Sequence, residues 1–157
     1  MEESWHRYEK EWERNAAIHQ PTSASSIYGD DFDMWGPYYA TDGVMPTNIS
    51  SGGIFHSKVQ STPWLSVDLQ EALRISFIRV FNRADKNGER FHDVAVEVSL
   101  GGVLYEQKGF FKGPGVTNQV VEILCDHPTI GRYVRIKIIS GVGNYLHINE
   151  IEIYTIS

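Results

Sequence analysis

A chain of 157 residues with 41% hydrophobic and 22% charged side chains has the size and composition of one globular domain, large enough to bury a core without disulfide or metal staples. Fourteen Lys and Arg against twenty Asp and Glu leave a net charge of -6, the wrong sign for neutralising phosphates, which excludes nucleic acid as a partner and disfavours anionic membrane surfaces. The single cysteine, Cys125, allows neither an intramolecular disulfide nor a cysteine-rich metal site and reads as a small core residue.

Residues 2–14 are rich in Glu, Arg, Lys and Trp, lack Gly and Pro, and predict a helix. Trp5, Tyr8 and Trp12 recur at helical spacing, so their rings form one stripe that needs a surface to rest on. That surface is the chain's own domain or a second copy in a homo-oligomer. The same opening has no apolar run that could serve as a signal-peptide core. From Asn15 onward, short β-branched and aromatic segments alternate with Gly, Pro, Asn and Asp, the pattern of an antiparallel all-β domain. WLSVDL (64–69) and ISFIRVF (75–81) predict core strands, and VAVEVSL (94–100) a strand with polar positions at Glu97 and Ser99. GVLYEQKG (102–109), NQVVEIL (118–124), RYVRIKII (132–139) and INEIEIY (148–154) supply the rest. In RYVRIKII, strict alternation turns Val134, Ile136 and Ile138 inward and Tyr133, Arg135 and Lys137 outward.

Two loops are too rich to be plain connections. Residues 28–63 contain GDDFDMWGPYYATDG and NISSGGIFHSKVQSTP with no long apolar run, and stretches of that length are usually functional or need something to order them. NRADKNGER (82–90) is a tight connection after a core strand. Enzyme signatures are absent: no GxSxG, phosphate loop, HExxH or compelling acid pair occurs, and GPGVTN (113–118) reads as a turn. His6, His19, His92, His127 and His147 have no partner at metal-ligand spacing and read as surface or packing residues. His56 differs because Arg83, Asp85 and Arg90 follow it in the second loop. By itself such a charge cluster is an exposed ion pair of small worth. Two guanidiniums, however, present rigid forks of donors that suit vicinal hydroxyl oxygens, and a neutral sugar gains affinity only from donors held in place beforehand.

Twenty-six residues separate His56 from Arg83-Ala84-Asp85, and four more lead to Arg90. This arrangement resembles the fucose-binding motif of the F-type lectins, or fucolectins. ATDG (40–43), PWLSVDL (63–69), IGRYVRI (130–136) and INEIEIY (148–154) are similar to that family's framework. The resemblance implies an all-β, discoidin-like jelly-roll β-sandwich over residues 15–157, with residues 1–14 as a helical extension. It implies a non-catalytic lectin for terminal L-fucose on glycans, secreted or extracellular and touching membranes only through glycoconjugates. His56, Arg83 and Arg90 would hydrogen-bond the sugar's hydroxyls and ring oxygen, and Asp85 would orient a guanidinium. Lys86 and Asn87 stand where the better-known members carry two adjacent cysteines that pack on the sugar. The family also implies a structural calcium with carboxylates from Asp42 and Glu150 and carbonyls from Tyr39, Val44, Gly53 and Asn149, Gly53 standing where a hydroxyl residue is common. Competing readings are a discoidin-type domain for protein or phospholipid contact, with Ile49, Ile54 and Phe55 as loop tips, and an accessory module of a larger glycosidase. Asn48-Ile49-Ser50 is a glycosylation sequon that matters only in a secreted chain.

Overall fold

The structure, a computed structural model, describes residues 14–156, so all but the last residue of the helix expected over residues 2–14, and its whole aromatic stripe, lie outside the described residues. Nine strands follow in order: β1 (Thr22–Ala24), β2 (Phe55–His56), β3 (Trp64–Phe81), β4 (Val94–Ser99), β5 (Glu106–Phe111), β6 (Val120–Leu124), β7 (Ile130–Ile138), β8 (His147–Ile148) and β9 (Glu150–Ile156). All pair antiparallel, and one short helix, α1 (Phe32–Trp35), interrupts the first long loop.

The two apolar segments expected as separate core strands are one continuous strand, β3. Between them Gln70, Glu71, Ala72 and Arg74 are exposed, and only Leu73 of this segment packs against the core. Gln70 takes a positive φ of 66°, its amide donates to Asp68 Oδ1 at 2.8 Å, and the register with β7 shifts between Asp68 and Leu73. The strand therefore changes layers. Its first half pairs with β1 and β7 in the order β1-β3-β7-β4-β5, and its second half pairs with β6 and β9. The apolar sets of the two layers face each other in one core that includes Leu65, Val67, Ile78, Val80, Val96, Ile136 and Ile153.

Alternation held where it was clearest. Val134, Ile136 and Ile138 are fully buried, while Arg135 stands outside and donates to Glu97 of β4 at 2.7 Å. Two boundaries differ from the sequence reading. β5 begins at Glu106 because Ser99 Oγ accepts the Gly102 amide at 2.8 Å in a tight turn, and Gly102 takes a φ of 80°. INEIEIY is split, because His147 and Ile148 pair with β2 in a small second sheet whereas β9 joins β3. Cys125 is half-buried against the core, and that burial pushes its thiol up to about 11. Ile49, Ile54 and Phe55 are buried at 1%, 0% and 0% exposure, which corrects their reading as loop tips: they are interior residues.

Candidate functional site

The small second sheet carries the first functional side chain. β2 pairs with β8 through Phe55 opposite Ile148 and His56 opposite His147. Both Phe55 and Ile148 enter the core, so side-chain alternation sends both histidines to the opposite face. His56 is nevertheless only 5% exposed, because rings from three other segments close around it. Its ring centroid lies 4.5 Å from Tyr28, 5.3 Å from Trp35, 5.5 Å from Tyr145 and 5.0 Å from His147. Trp35 reaches this place from α1, which Asp31 caps by accepting the Met34 amide at 3.1 Å.

Burial sets the chemistry of His56. Desolvation lowers its pKa to about 4; the Ser57 carbonyl opposes this, the smaller effects of the Arg83 and Arg90 charges add to it, and the ring is neutral at pH 7. Nδ1 lies 2.8 Å from the Ser57 carbonyl. A carbonyl only accepts, so the ring proton sits on Nδ1 and Nε2 is left as an acceptor.

The second loop supplies the donors. Asn82 Nδ2 donates to the carbonyls of Gly88 at 2.9 Å and Val116 at 3.0 Å, closing residues 82–90 on themselves. At Gly88 a Cβ would lie 2.1 Å from the Thr117 backbone nitrogen, so only glycine lets this loop pack on 116–117. Arg83, 6% exposed, donates from Nε to Asp85 Oδ1 at 2.6 Å and from Nη2 to Oδ2 at 3.4 Å. Asp85 thereby fixes the guanidinium plane, and the Arg83 bond holds the Asp85 carboxyl below the ordinary carboxylate range. The Arg90 guanidinium lies 4.7 Å over the Tyr145 ring.

Together Tyr28, Trp35, His56, Arg83, Lys86, Asn87 and Arg90 line an open cleft of about 220 Å³. The structure thus brings His56, Arg83 and Arg90 to one cleft and sets Asp85 beside Arg83. It also adds residues that sequence reasoning missed. Tyr28 and Trp35 fall in the loop that the sequence marked as functional, but nothing local ties them to His56. Tyr145 and His147 carried no signal at all.

His147 lies beneath the cleft, 1% exposed, with no hydrogen-bond partner at either ring nitrogen. Burial first, and then the charges around His56, Arg83 and Arg90, push its pKa down to about 2. The folded value lies below the unfolded one of about 6.5, so the stability it contributes is complete above that pH and is lost as pH falls. Wild type should therefore lose about 2 kcal/mol relative to His147→Leu between pH 7 and pH 4.5, groups common to both chains cancelling. Urea unfolding of both proteins at the two pH values measures this, and a constant difference would contradict it.

The residues expected at a metal lie on the first long loop and at the start of β9. Glu150 is 2% exposed; its Oε2 accepts the Gly43 amide at 2.9 Å, and its Oε1 has no partner. Asn149 Nδ2 donates to the Pro46 carbonyl at 3.1 Å, leaving the buried Asn149 Oδ1 without a donor. Asp42 Oδ1 accepts the Val44 amide at 2.9 Å. Burial, then the Asp42 carboxylate beside it, raises the Glu150 pKa to about 8, opposed by the Gly43 amide. The Asp42 and Glu150 carboxyls lie together, and Glu150 Oε1 and Asn149 Oδ1 are the buried oxygens left without a donor, an oxygen-only set of the kind that suits calcium. Tyr39 donates its hydroxyl to the Asp33 carbonyl, and the Gly53 amide donates to the Met34 carbonyl at 2.8 Å, so both are tied to α1.

Fold and site together define a β-sandwich domain with a preformed, donor-rich cleft at loops beside one small sheet. The pattern of the F5/8 type C domain matches residues 20–151, and the chain belongs to that family. Fucolectin from Anguilla anguilla is 27% identical over 146 residues, with 90% of each chain covered. Fucolectin-6 from Anguilla japonica is 28% identical over 114 residues, covering 73% of this chain and 60% of the relative. The crystal structure of an F-lectin (fucolectin) from striped bass (Morone saxatilis) serum superposes with a TM-score of 0.79 at 24% identity, covering 90% of this chain and 48% of that one. The chain thus spans less than two thirds of two of these relatives.

Proposed function

We propose that this protein is a carbohydrate-binding lectin for terminal L-fucose on glycans and that binding, not catalysis, is its activity. The observation that carries the reading is the neutral His56 acceptor held in one cleft with the donors of Arg83 and Arg90. A sugar hydroxyl offers both a proton and lone pairs. His56 Nε2 accepts from one hydroxyl, while the guanidinium N–H groups donate to neighbouring hydroxyl oxygens and the ring oxygen. Asp85 fixes Arg83 and Tyr145 supports Arg90, so little side-chain freedom remains to be lost on binding. Tyr28 and Trp35 supply the apolar wall that the family's adjacent cysteines would otherwise give. Calorimetric titration with methyl α-L-fucoside tests the assignment. Heat that saturates at one site per chain is expected; no heat with the fucoside or with fucosylated oligosaccharides would overturn it.

The reading includes a structural calcium held by the carboxylates of Asp42 and Glu150 and by carbonyls of Tyr39, Val44, Gly53 and Asn149. When bound, calcium supplies positive charge that neutralises the two carboxylates. Asp42 and Glu150 then join the loop before β2 to β9, which steadies the chain leading to His56. A ligand of the folded state alone stabilises by mass action, so melting in calcium at about a hundred times Kd should exceed that in chelator by about 5 to 10 °C. Glu150→Gln should remove the difference. Equal melting temperatures of the wild type in both conditions would remove the metal from this account.

A further inference from the structure

We infer that the cleft favours a fucosylated glycan that carries an anionic group next to the fucose, a sulfate ester or a carboxylate, met by Lys86 and Arg90. This rests on the fucose reading above and adds a substrate class to it. A neutral sugar needs donors but no net charge, and the cleft has more positive charge than such a sugar uses. Within a chain of net charge -6, Arg83, Lys86 and Arg90 line one cleft, no carboxylate is among its described lining residues, and the neighbouring Asp85 carboxylate is engaged by Arg83.

Among the described residues neither Lys86 nor Arg90 has a carboxylate within ion-pair distance. Cations elsewhere on the surface commonly do: Lys58 meets Asp30 at 2.6 Å, Lys112 meets Asp93 at 2.7 Å, and Arg132 meets Asp68 at 2.8 Å. The acidic GDDFD segment does not cancel the charge, because Asp30 is held by Lys58, Asp31 caps α1, and none of its acids lines the cleft. Glu89 lines another hollow of about 360 Å³ with His92, Asn144 and Tyr145; Arg90 borders both, and Glu89 does not line the cleft. The same two charges, Arg83 and Arg90, also oppose protonation of His56. Lys86 is exposed at the cleft edge, where a point charge on a flexible stem can follow a substituent that projects from the sugar.

The test compares Kd values for methyl α-L-fucoside, a sulfated methyl α-L-fucoside, and a sialylated, fucosylated tetrasaccharide alongside its asialo form. At ~10 mM salt a charged ligand should bind about fivefold tighter than its neutral counterpart, the upper range for an exposed charge pair. The ratio should fall toward one at ~1 M salt, where the screening length shrinks from about 30 Å to about 3 Å. In Lys86→Gln the low-salt ratio should also fall toward one. Enhancement by the sulfate alone assigns the anion to an ester on the fucose, and enhancement by the sialylated ligand alone assigns it to a neighbouring residue; either supports the inference. Saturable fucoside binding with no gain for either charged ligand would overturn the inference and leave the fucose site intact. Absence of binding by every ligand would instead overturn the fucose reading itself.

Discussion

Replacing Arg83 by Ala is expected to weaken methyl α-L-fucoside binding by about ten- to a hundredfold, while the fold persists. Hydrogen bonds from charged donors are worth about 1.5 to 3 kcal/mol, and each 1.4 kcal/mol is tenfold in Kd. Arg83 stands out among the cleft cations because it is 6% exposed and already oriented by Asp85 through its Nε, so in the proposed site its remaining donors would meet a sugar with little ordering cost. Asp85 loses its partner in the variant, but it lies at the surface, where water replaces the lost bonds. Arg83→Lys keeps the charge without the fork and should restore only a small part of the affinity. Calorimetry of the three proteins reads the result. Affinity in Arg83→Ala equal to wild type would remove Arg83 from the site.

The second large effect falls on stability. Phe55 is fully buried, and its change to Ala should cost about 3 to 5 kcal/mol by the loss of apolar burial and the cavity left behind. That is a large share of the roughly 5 to 15 kcal/mol that holds a domain together. The position matters further because β2 has only two residues, so the packing of Phe55 is what anchors the His56 backbone between long loops. Urea unfolding should show the lower midpoint, and fucoside affinity should fall in the folded fraction as His56 loosens. A loss under about 1 kcal/mol would mean that the loop, and not the core contact, carries β2.

The strands were legible where one face is apolar for many residues. Val134, Ile136 and Ile138 declared β7 because alternating burial against a core leaves a period of two in the sequence. The joining of 64–69 with 75–81 into β3 was not legible, since the bend at Gln70 is a matter of backbone torsion and sheet exchange. The short strands β1, β2 and β8 were equally hidden: two or three residues cannot display a period.

For the proposed site, the sequence by itself determined which charged and hydrogen-bonding residues to consider, because the spacing of His56, Arg83, Asp85 and Arg90 across one loop and one tight turn can be read directly. Tertiary structure alone decided the state of those groups. Tyr28, Trp35, Tyr145 and His147 come from opposite ends of the chain and meet around His56 only when β2 pairs with β8. Their packing removes water from the imidazole, keeps it neutral, and leaves Nε2 free to accept. Burial is a property of neighbours in space, and no local pattern of residues can record it.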